Sequence, residues 1–316
     1  MFGRGFDPRH LHFKSAIYVA GFFCMYLSFD PRHLHSTRFA SLQVEFFFVP
    51  LHRLTIQLLT MRKVLSIALA LLIPAMALAW GPKGHDTVAY IAEKHLSKKA
   101  LKKVTAVLEG HSLVYVANWL DNASHTDEYA YTKTWHYVNV DPEEGTYAES
   151  KKDSAGDAVV AINTLVENLK SGELTPEEER VQLMMLIHIV GDIHCPMHAG
   201  RKSDRGGNGT KVKYFGSQKK LHSVWDSEIV ESAHRWGYSE WQEQVDRATP
   251  KQVQVYMQGT PNDWIEETVV LANDIYENSA TGANLSYDYV AQYAPILEEQ
   301  FLKGGIRLAK LLEEIY

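Results

Sequence analysis

Nine residues of types that can bind metal ions recur along the chain from residue 80 onward. They are Trp80, His85, Asp121, His136, His188, Asp192, His198, His222 and Asp226. The densest group lies in HIVGDIHCPMH, residues 188–198, and a further pair lies in HSVWD, residues 222–226. Imidazole nitrogens and carboxylate oxygens are ligands that zinc prefers. The pattern therefore predicts a hydrolase with several zinc ions.

Two pairs with i,i+4 spacing carry most of this prediction. Residues four positions apart lie on one face of a helix, so His188 and Asp192 can bind the same ion. Their neighbours in MMLIHIVGD are almost all apolar, and a buried carboxylate is costly unless a cation pairs with it. One such pair alone is more often a hydrogen bond inside a core. The second pair, His222 and Asp226, makes coincidence a weaker explanation.

The other histidines and Asp121 give weaker signals. Asp121 and His136 lie in the aromatic contexts ANWLD and TWHYVN, and either residue alone would more often be structural. His194 lies off the face shared by the first pair, so we expect it to support a ligand rather than to bind an ion. Four further histidines fit no ligand spacing and are interpreted as surface or core residues: His95, His111, His125 and His234.

The segment before Trp80 has the pattern of a secretory signal peptide. Residues 61–79, MRKVLSIALALLIPAMALA, have a basic start, an apolar core and the small-residue ending ALA, which is typical of a signal peptide cleaved before Trp80. The apolar stretch is short for a membrane span, which needs about 20 residues. We therefore expect a secreted or periplasmic protein whose mature form has no membrane span.

Residues 1–60 show a repeated FDPRHLH and no lasting helical or strand period. Signal peptides begin at the N-terminus, so Met61 is the expected start of translation. Residues 1–60 are interpreted as a disordered upstream extension that was wrongly assigned to the protein. The alternative is a genuine, poorly ordered leader. The domain prediction is thus extension 1–60, signal peptide 61–79 and one zinc hydrolase domain, 80–316.

Cleavage before Trp80 would create a further ligand. The freed α-amino group has an ordinary pKa of about 7.7–8.0, and once deprotonated it can chelate an ion together with the Trp80 carbonyl oxygen. His85 follows in WGPKGH, where the glycines and the proline predict a tight turn that lets it join them. The alternative is an ordinary linker after a signal peptide.

Charge and cysteine content limit how a nucleic acid could bind and whether a disulfide can form. Residues 1–79 hold 8 of the 32 Lys/Arg and 3 of the 38 Asp/Glu, so residues 80–316 hold 24 and 35, a net charge of −11. An acidic surface repels polyphosphates, so a nucleic acid must be attracted by local positive charge, of which three zinc ions would supply about +6. Cys195 is alone in 80–316, which excludes an internal disulfide there.

Helical periodicity dominates residues 80–316 and predicts a single all-α domain. The sequence TPEEE at 175–179 carries a capping Thr, a Pro at the first helical position and acids in the first turn, which marks the start of a helix. Residues 122–154 are predicted to be irregular, and 199–216 a loop with a short hairpin into 211–215. Helices are predicted over 85–95, 97–109, 112–121, 155–171, 176 to about 196, 222–233, 239–247, 250–258, 261–278 and 290–315.

The motifs occur in an order that resembles a known family. They are WGxxGH at 80–85, WxD at 119–121, WHYVN at 135–139, HxxxDxHxPxH at 188–198, GGN at 206–208 and HxxWD at 222–226. Together they resemble the secreted zinc-dependent single-strand-specific nucleases and 3′-nucleotidases of the S1/P1 type, over the whole of 80–316. The resemblance implies a mainly helical fold shared with bacterial zinc phospholipases C.

The resemblance also implies three zinc ions and their ligands. Asp121, His136, His188 and Asp192 would hold one ion; the Trp80 amine and carbonyl, His85 and a bridging Asp192 the second; His198, His222 and Asp226 the third. The implied activity is cleavage of single-stranded RNA and DNA to 5′-mononucleotides and removal of the phosphate from 3′-mononucleotides. A hydroxide between two ions about 3.5–4 Å apart would attack, so no side chain is needed as nucleophile. No stable protein partner is implied.

Three residues are expected to contact substrate, and one departs from the family pattern. Asn208 resembles the family's Asn that hydrogen-bonds the phosphate region, Tyr137 stands where the family stacks a base on an aromatic ring, and Asn139 stands where fungal members have an acid that recognises the base edge. Ser124 stands where the family usually has Arg or Lys near the phosphate. Candidates to replace that cation are Lys133, Lys202 and Arg205.

Two other functions remain open at this point. A zinc phospholipase C would use the same site on a lipid, although the GGN loop and the ligand spacing favour the nuclease. A non-catalytic zinc-binding or adhesion protein of the periplasm would keep the ligands without the chemistry.

Overall fold

A computed structural model of the chain describes residues 80–316. The predicted extension, 1–60, and the predicted signal peptide, 61–79, lie outside the described residues. The described part is mainly helical with one small sheet, which confirms the all-α prediction. Among residues 80–316 there is no helix that is both long and apolar enough to span a membrane.

The helices and strands are as follows. The α-helices are α1 Pro82–His95, α2 Lys98–Val107, α3 Leu113–Val116, α4 Trp119–Ala123, α5 Ala158–Ser171, α6 Pro176–Asp192, α7 Leu221–Ser223, α8 Ile229–Ala233, α9 Tyr238–Val245, α10 Pro250–Tyr256, α11 Pro261–Glu277 and α12 Tyr287–Ile315. Short 3₁₀-helices cover Ala130–His136, Pro142–Glu144 and Pro196–Ala199, and a π-helical turn covers Val224–Glu228. The strands are β1 Lys211–Tyr214, β2 Ser217–Lys220 and β3 Asn284–Leu285.

Helix α6 is the central element. It starts as predicted: the Thr175 side chain accepts a hydrogen bond from the Glu178 backbone, and the Glu178 carboxylate accepts one from the Thr175 backbone N–H. Every residue from Leu183 to Asp192 is buried, because α6 packs against α1, α4, α5 and α12. Its C-terminal half thus carries the first His/Asp pair into the interior.

Two hydrophobic clusters meet around the end of α6. One contains Ile189 and Val190, and the other contains Cys195, Met197 and Trp225. Since the ligand candidates are sequence neighbours of residues in both clusters, they lie at the boundary between two packed bodies of side chains. Such a boundary fixes side-chain positions from both sides.

Helices α1 and α12 approach each other closely at Gly305. A Cβ built on Gly305 would lie 2.4 Å from the Ile91 side chain, so no larger residue fits without moving a helix. This contact holds α1, which carries His85, against the rest of the domain.

Several element boundaries differ from the predictions. Helix α1 begins at Pro82, because proline is favoured at a first helical position. The Gly84 N–H donates to the Gly81 carbonyl oxygen at 2.8 Å, so the predicted tight turn is present as the first turn of this helix. The predicted helix 112–121 is two short helices, and 222–233 is interrupted by the π-helical turn. The stretch 122–154 contains two 3₁₀-helices. Strand β3, which pairs in parallel with β1 from a distant part of the chain, had no signal in the sequence.

Candidate metal centre

Eight of the nine predicted ligands contribute side chains that converge in one buried cluster. These side chains come from α1, α4, the 3₁₀-helix Ala130–His136, α6, the 3₁₀-helix Pro196–Ala199, α7 and the π-helical turn. All of them are at most 9% exposed. They are His85, Asp121, His136, His188, Asp192, His198, His222 and Asp226.

Asp192 lies at the centre of the cluster. Its Oδ2 is 3.1 Å from His136 Nδ1 and 3.3 Å from His188 Nε2. Its Oδ1 is 3.3 Å from His85 Nε2 and 3.6 Å from His198 Nδ1. The carboxylate is fully buried. Each oxygen therefore faces a different set of imidazoles, which is the arrangement of a carboxylate that bridges two ions.

Asp121, His136 and His188 surround one point. The Oδ1 atom of Asp121 is 3.4 Å from His188 Nε2 and 4.0 Å from His136 Nδ1, and the two nitrogens are 3.2 Å apart. Ligands about 2.0–2.1 Å from a tetrahedral zinc ion are separated by about 3.4 Å. These atoms, with Asp192, are therefore spaced as the ligands of one zinc ion would be.

A second group lies at the other end of the cluster. His222 Nε2 is 3.1 Å from Asp226 Oδ2, and His198 Nε2 is 3.7 Å from Asp226 Oδ1. The rings of His198 and His222 stack with centroids 5.2 Å apart. This second i,i+4 pair keeps its contact although a π-helical turn, not a regular helix, carries Asp226.

Backbone carbonyls orient three of the imidazoles. His188 Nδ1 donates to the Ala117 carbonyl oxygen at 2.7 Å, and the Nδ1 atoms of His198 and His222 donate to the carbonyls of His136 and Gly206. In a neutral imidazole this leaves the Nε2 lone pair free. The nitrogen presented to the cluster is thus Nε2 in all three, and the approach of His198 Nδ1 to Asp192 is proximity, not ligation.

Buried polar atoms in the cluster lack hydrogen-bond partners among the described residues. Those that face other ligand candidates are the Nε2 atoms of His85, His198 and His222 and the Oδ1 atom of Asp192. A buried polar atom without a partner costs about 1–3 kcal/mol, so several together need an explanation. Cations among these atoms supply it, and the nitrogen and oxygen donor set fits zinc.

The charges of the cluster shift the pKa values of its members. Burial opposes protonation of His188, but Asp192 and Asp121 outweigh it and raise the pKa of His188 to about 10. For His198 burial is likewise outweighed, here by Asp192 and Asp226, and its pKa rises to about 9. Burial raises the pKa of the Asp192 carboxyl, but the neighbouring imidazoles His188 and His198 outweigh it and hold that pKa well below its usual range. The carboxylates of the cluster thus stabilise positive charge, which protonated imidazoles supply when no ion is bound.

Trp80, the ninth predicted ligand, is fixed beside the cluster. Its side chain is fully buried, with the ring 4.8 Å from that of Phe301. The Gly81 N–H donates to the Asp226 carbonyl oxygen at 2.6 Å. A Cβ on Gly84 would lie 2.9 Å from Trp80 Cβ, so glycine is required there. The backbone at Trp80 therefore lies next to a residue of the cluster.

The cluster opens into a cavity of about 480 Å³, which is called the metal cavity below. Four ligand candidates line it, together with the predicted substrate residues Tyr137, Asn139 and Asn208. The cations that line it are Lys133, Arg205 and Lys220. A second cavity of about 250 Å³ shares Tyr137, Asn139 and Arg205 with the first, so the two adjoin. The site can therefore accept an anionic group beside the ligand cluster and a further group next to it.

Some residues take other places than expected. His125 was interpreted as an ordinary histidine, yet it lines the metal cavity and contacts the Ser124 hydroxyl at 3.1 Å. Its i,i+4 spacing after Asp121 was the signal that could have identified it. Lys202 contacts Glu144 at 3.0 Å and lines only the second cavity.

Two further residues near the cluster differ in what they contact. His194 Nδ1 donates to the Val190 carbonyl oxygen, and its Nε2 accepts from Arg307. Both ring nitrogens therefore bond to residues outside the cluster, and among residues 80–316 no hydrogen bond of His194 supports a ligand candidate, contrary to expectation. Cys195 Sγ lies 3.5 Å from Asp226 Oδ1. Nothing in the sequence indicated that Cys195 lies beside a ligand candidate.

Comparisons with known proteins agree with this geometry. The family model described as S1/P1 Nuclease matches residues 80–316. Endonuclease 4 of Arabidopsis thaliana is 30% identical over 271 residues, which are 76% of this chain and 90% of that protein. Nuclease S1 of Aspergillus oryzae is 29% identical over 280 residues, 78% of this chain and 96% of that protein. Nuclease P1 of Penicillium citrinum is 25% identical over 265 residues, 75% of this chain and 98% of that protein.

The match covers every element that carries a residue of the cluster, and it agrees with the resemblance found from the motifs. The chain belongs to the S1/P1 nuclease family.

Proposed function

We propose that this nuclease is a zinc-dependent phosphodiesterase that cleaves single-stranded RNA and DNA to 5′-mononucleotides and removes the phosphate from 3′-mononucleotides. The observation that carries the proposal is the convergence of eight buried ligand side chains in one cluster, with Asp192 at its centre, at spacings suited to zinc. The alternative of a non-catalytic zinc protein is less favoured, because the cluster opens into a cavity lined by cations.

The cluster can hold three zinc ions. Asp121, His136, His188 and Asp192 would hold the first; Trp80, His85 and Asp192 the second; His198, His222 and Asp226 the third. When bound, the ions supply Lewis acidity that activates water and neutralises phosphate oxygens. The chain's own part is to fix the donors, through the carbonyls that orient three of the imidazoles.

Three cations and one amide of the cavity suit a phosphate. Lys133, Arg205 and Lys220 line the cavity in a chain whose residues 80–316 carry a net charge of −11, so they concentrate positive potential at the site. Asn208 is half-buried at the cavity and donates one hydrogen bond to the Arg205 carbonyl oxygen. We infer that its amide also reaches a substrate phosphate oxygen.

A splayed base fits beside the phosphate position. Tyr137 and Asn139 line both cavities, and Asn139 Oδ1 is buried without a hydrogen-bond partner among residues 80–316. An aromatic ring can stack on any base, worth about 1–3 kcal/mol, while an amide reads a base edge. A duplex hides its base faces by stacking, so a site of this kind selects single strands.

The proposed enzyme acts outside the cytoplasm. The signal-like segment 61–79 supports secretion or export to the periplasm with cleavage before Trp80. The new amino group at Trp80 would then complete the second zinc site.

Hydrolysis assays test the function directly. We expect protein that begins at Trp80 to digest heat-denatured DNA and RNA and to release phosphate from 3′-AMP, while duplex DNA is cleaved slowly. Activity should disappear with a chelator and return with zinc. Cleavage of phosphatidylcholine without cleavage of 3′-AMP would show a phospholipase C instead, and zinc binding without any hydrolysis would show a binding protein.

A further inference from the structure

The hairpin of β1 and β2 is a basic segment in an acidic chain. Residues 211–220 hold four lysines and no acidic residue, whereas residues 80–316 as a whole carry a net charge of −11. The hairpin leads directly to the metal centre, because Lys220 lines the metal cavity and His222 follows two residues later. The position of these lysines therefore bears on what approaches the site.

Three of the lysines form what we call the lysine face: Lys211, Lys213 and Lys220. Lys211 and Lys213 are exposed at alternate positions of β1, and the intervening side chain is buried. The strand register puts Lys220 directly opposite Lys211, and residues directly opposite project from the same side of a sheet. Like charges in that arrangement repel each other, so the pair is unfavourable for folding unless an anion lies nearby.

The fourth lysine of the hairpin behaves differently. Lys219 projects from the opposite side and forms an ion pair with Glu228. No residue of the lysine face has a carboxylate partner within the part of the chain that the structure describes, 80–316, where Lys211 instead donates to the Asn208 carbonyl oxygen. The lysine face thus keeps its charge for a ligand.

Two exposed aromatic rings lie at the tip of the hairpin. Phe215 and Gly216 form its turn with φ of +48° and +80°, a conformation that favours Asn and Gly and is strained for Phe. Phe215 is nevertheless 41% exposed, and its ring lies edge-on to Tyr287, 4.9 Å away, which is 79% exposed. Folding alone gains little from a strained, exposed aromatic ring, so its presence points to a ligand.

We propose that the lysine face and the Phe215–Tyr287 pair bind single-stranded nucleic acid along a path from Lys220, in the lining of the metal cavity, to the tip of the hairpin. Phosphates of the strand contact the lysine face, and a base stacks on Phe215 at the tip. A rise of about 3.3 Å per residue puts Phe215 about 13 Å from Lys211. A mononucleotide in the cavity does not reach the tip, whereas a longer strand does. The substrate class in this inference rests on the proposed function.

The double variant K213Q/F215N tests the surface without touching the metal cavity. Neither residue lines that cavity, and Asn before Gly216 is favoured in this turn, so the variant should fold at least as well as the native protein. The matched control is K98Q/Y115N, which removes one exposed lysine and one exposed tyrosine from α2 and α3.

Binding and hydrolysis are both measured. Binding uses a labelled, phosphorothioate-substituted single strand of about 30 nucleotides, longer than the site sizes of about 4–16 nucleotides typical of such surfaces. Hydrolysis compares an unmodified strand of the same length with 3′-AMP. For K213Q/F215N we expect Kd and KM for the long strand to rise at least about fivefold, with a shallower dependence of binding on salt. Turnover of 3′-AMP should stay unchanged.

The outcomes separate this inference from the proposed function. A change in Kd of less than about twofold, or an equal change in the control variant, would overturn the binding surface. An equal loss on 3′-AMP would also overturn it, since the effect would then lie in the metal cavity. If the unaltered protein hydrolyses neither substrate but its binding of the long strand depends on Phe215, the proposed function fails and the surface stands.

Discussion

Asp192 is the residue on which the metal centre most depends, because its two oxygens lie within 3.6 Å of four imidazoles. The substitution D192N keeps the shape but removes the charge that two ions would share. We expect the zinc content to fall by more than one ion per chain and kcat/KM to fall more than about 100-fold. Metal analysis by mass spectrometry and the 3′-AMP assay check this.

The matched control is D246N. Asp246 also contacts a histidine, His95, at 2.9 Å, but it lies outside the cluster. It should keep full zinc content. Full zinc content in D192N would contradict a bridging role.

The imidazoles of the candidate metal centre predict how the stability of the metal-free protein and its zinc affinity change with pH. The pKa of His188 is raised to about 10 and that of His198 to about 9 by neighbouring carboxylates, against about 6.5 in an unfolded chain. Their protonation therefore stabilises the metal-free protein fully below pH about 6.5, and this stability is lost as the pH rises towards 9–10. Zinc binds the deprotonated imidazoles, so it binds more tightly over the same range.

As the pH rises, the metal-free protein loses stability and zinc binds more tightly. Both changes increase the stability of the zinc-loaded protein relative to the metal-free protein. The Tm of the zinc-loaded protein minus that of the chelator-treated protein should widen from pH 6.5 to 9. Thermal unfolding of both forms at a series of pH values measures it. A gap that stays constant would show that these imidazoles do not bind metal.

At the level of elements, substitutions at the two ends of helix α6 should affect metal binding and folding stability separately. A Cβ on Gly191 would lie 2.8 Å from His85 Nδ1, although alanine is better than glycine in a helix by about 1 kcal/mol. We therefore expect G191A to displace His85 and weaken zinc binding at least about tenfold without loss of helix stability. Zinc titration and thermal unfolding check both halves of the expectation.

The control on the same helix is T175A. It removes the capping hydroxyl, which should cost about 1 kcal/mol and lower the Tm by about 2–4 °C. Zinc binding should not change. Equal zinc affinity in G191A and T175A would show that His85 is not a ligand.

The sequence predicted the elements that local rules determine. The start of α6 followed from a capping Thr and a Pro, and the pairing of His188 with Asp192 followed from helix periodicity. The π-helical turn under Asp226 and strand β3 depend on packing between distant segments, for which one sequence carries no local signal. The place of His125 in the cavity was missed, although it follows Asp121 at i,i+4 spacing, because Asp121 itself gave only a weak signal.

At the level of the whole molecule, the acidic surface repels polyphosphates, whereas the cations at the site attract them. Residues 80–316 carry a net charge of −11, yet the metal cavity and the lysine face carry cations. The charge of bound zinc would add to that of the cations in the cavity. Attraction of a polyphosphate should therefore be local and should weaken as salt screens it.

The last prediction joins the chain's processing to its metal content. Trp80 is fully buried, and the Gly81 N–H is bonded to the carbonyl oxygen of Asp226, so the backbone at Trp80 cannot move away from the cluster without breaking both contacts. A protein that begins at Trp80 offers an amine there, whereas one extra residue replaces the amine by an amide. The lone pair of an amide nitrogen is delocalised into the carbonyl group, so that nitrogen is a poor ligand for zinc.

We therefore expect protein with one added N-terminal glycine to bind one zinc ion less tightly, at least about tenfold by analogy with other lost metal-site contacts, and to lose activity in proportion. A glycine added after Tyr316 is the control and should change neither quantity. The weakened ion should be the one that G191A also weakens, because His85 and the Trp80 amine are proposed to share it. Tight binding of three ions by the extended protein would remove the amine from the ligand set while leaving the other two sites in place.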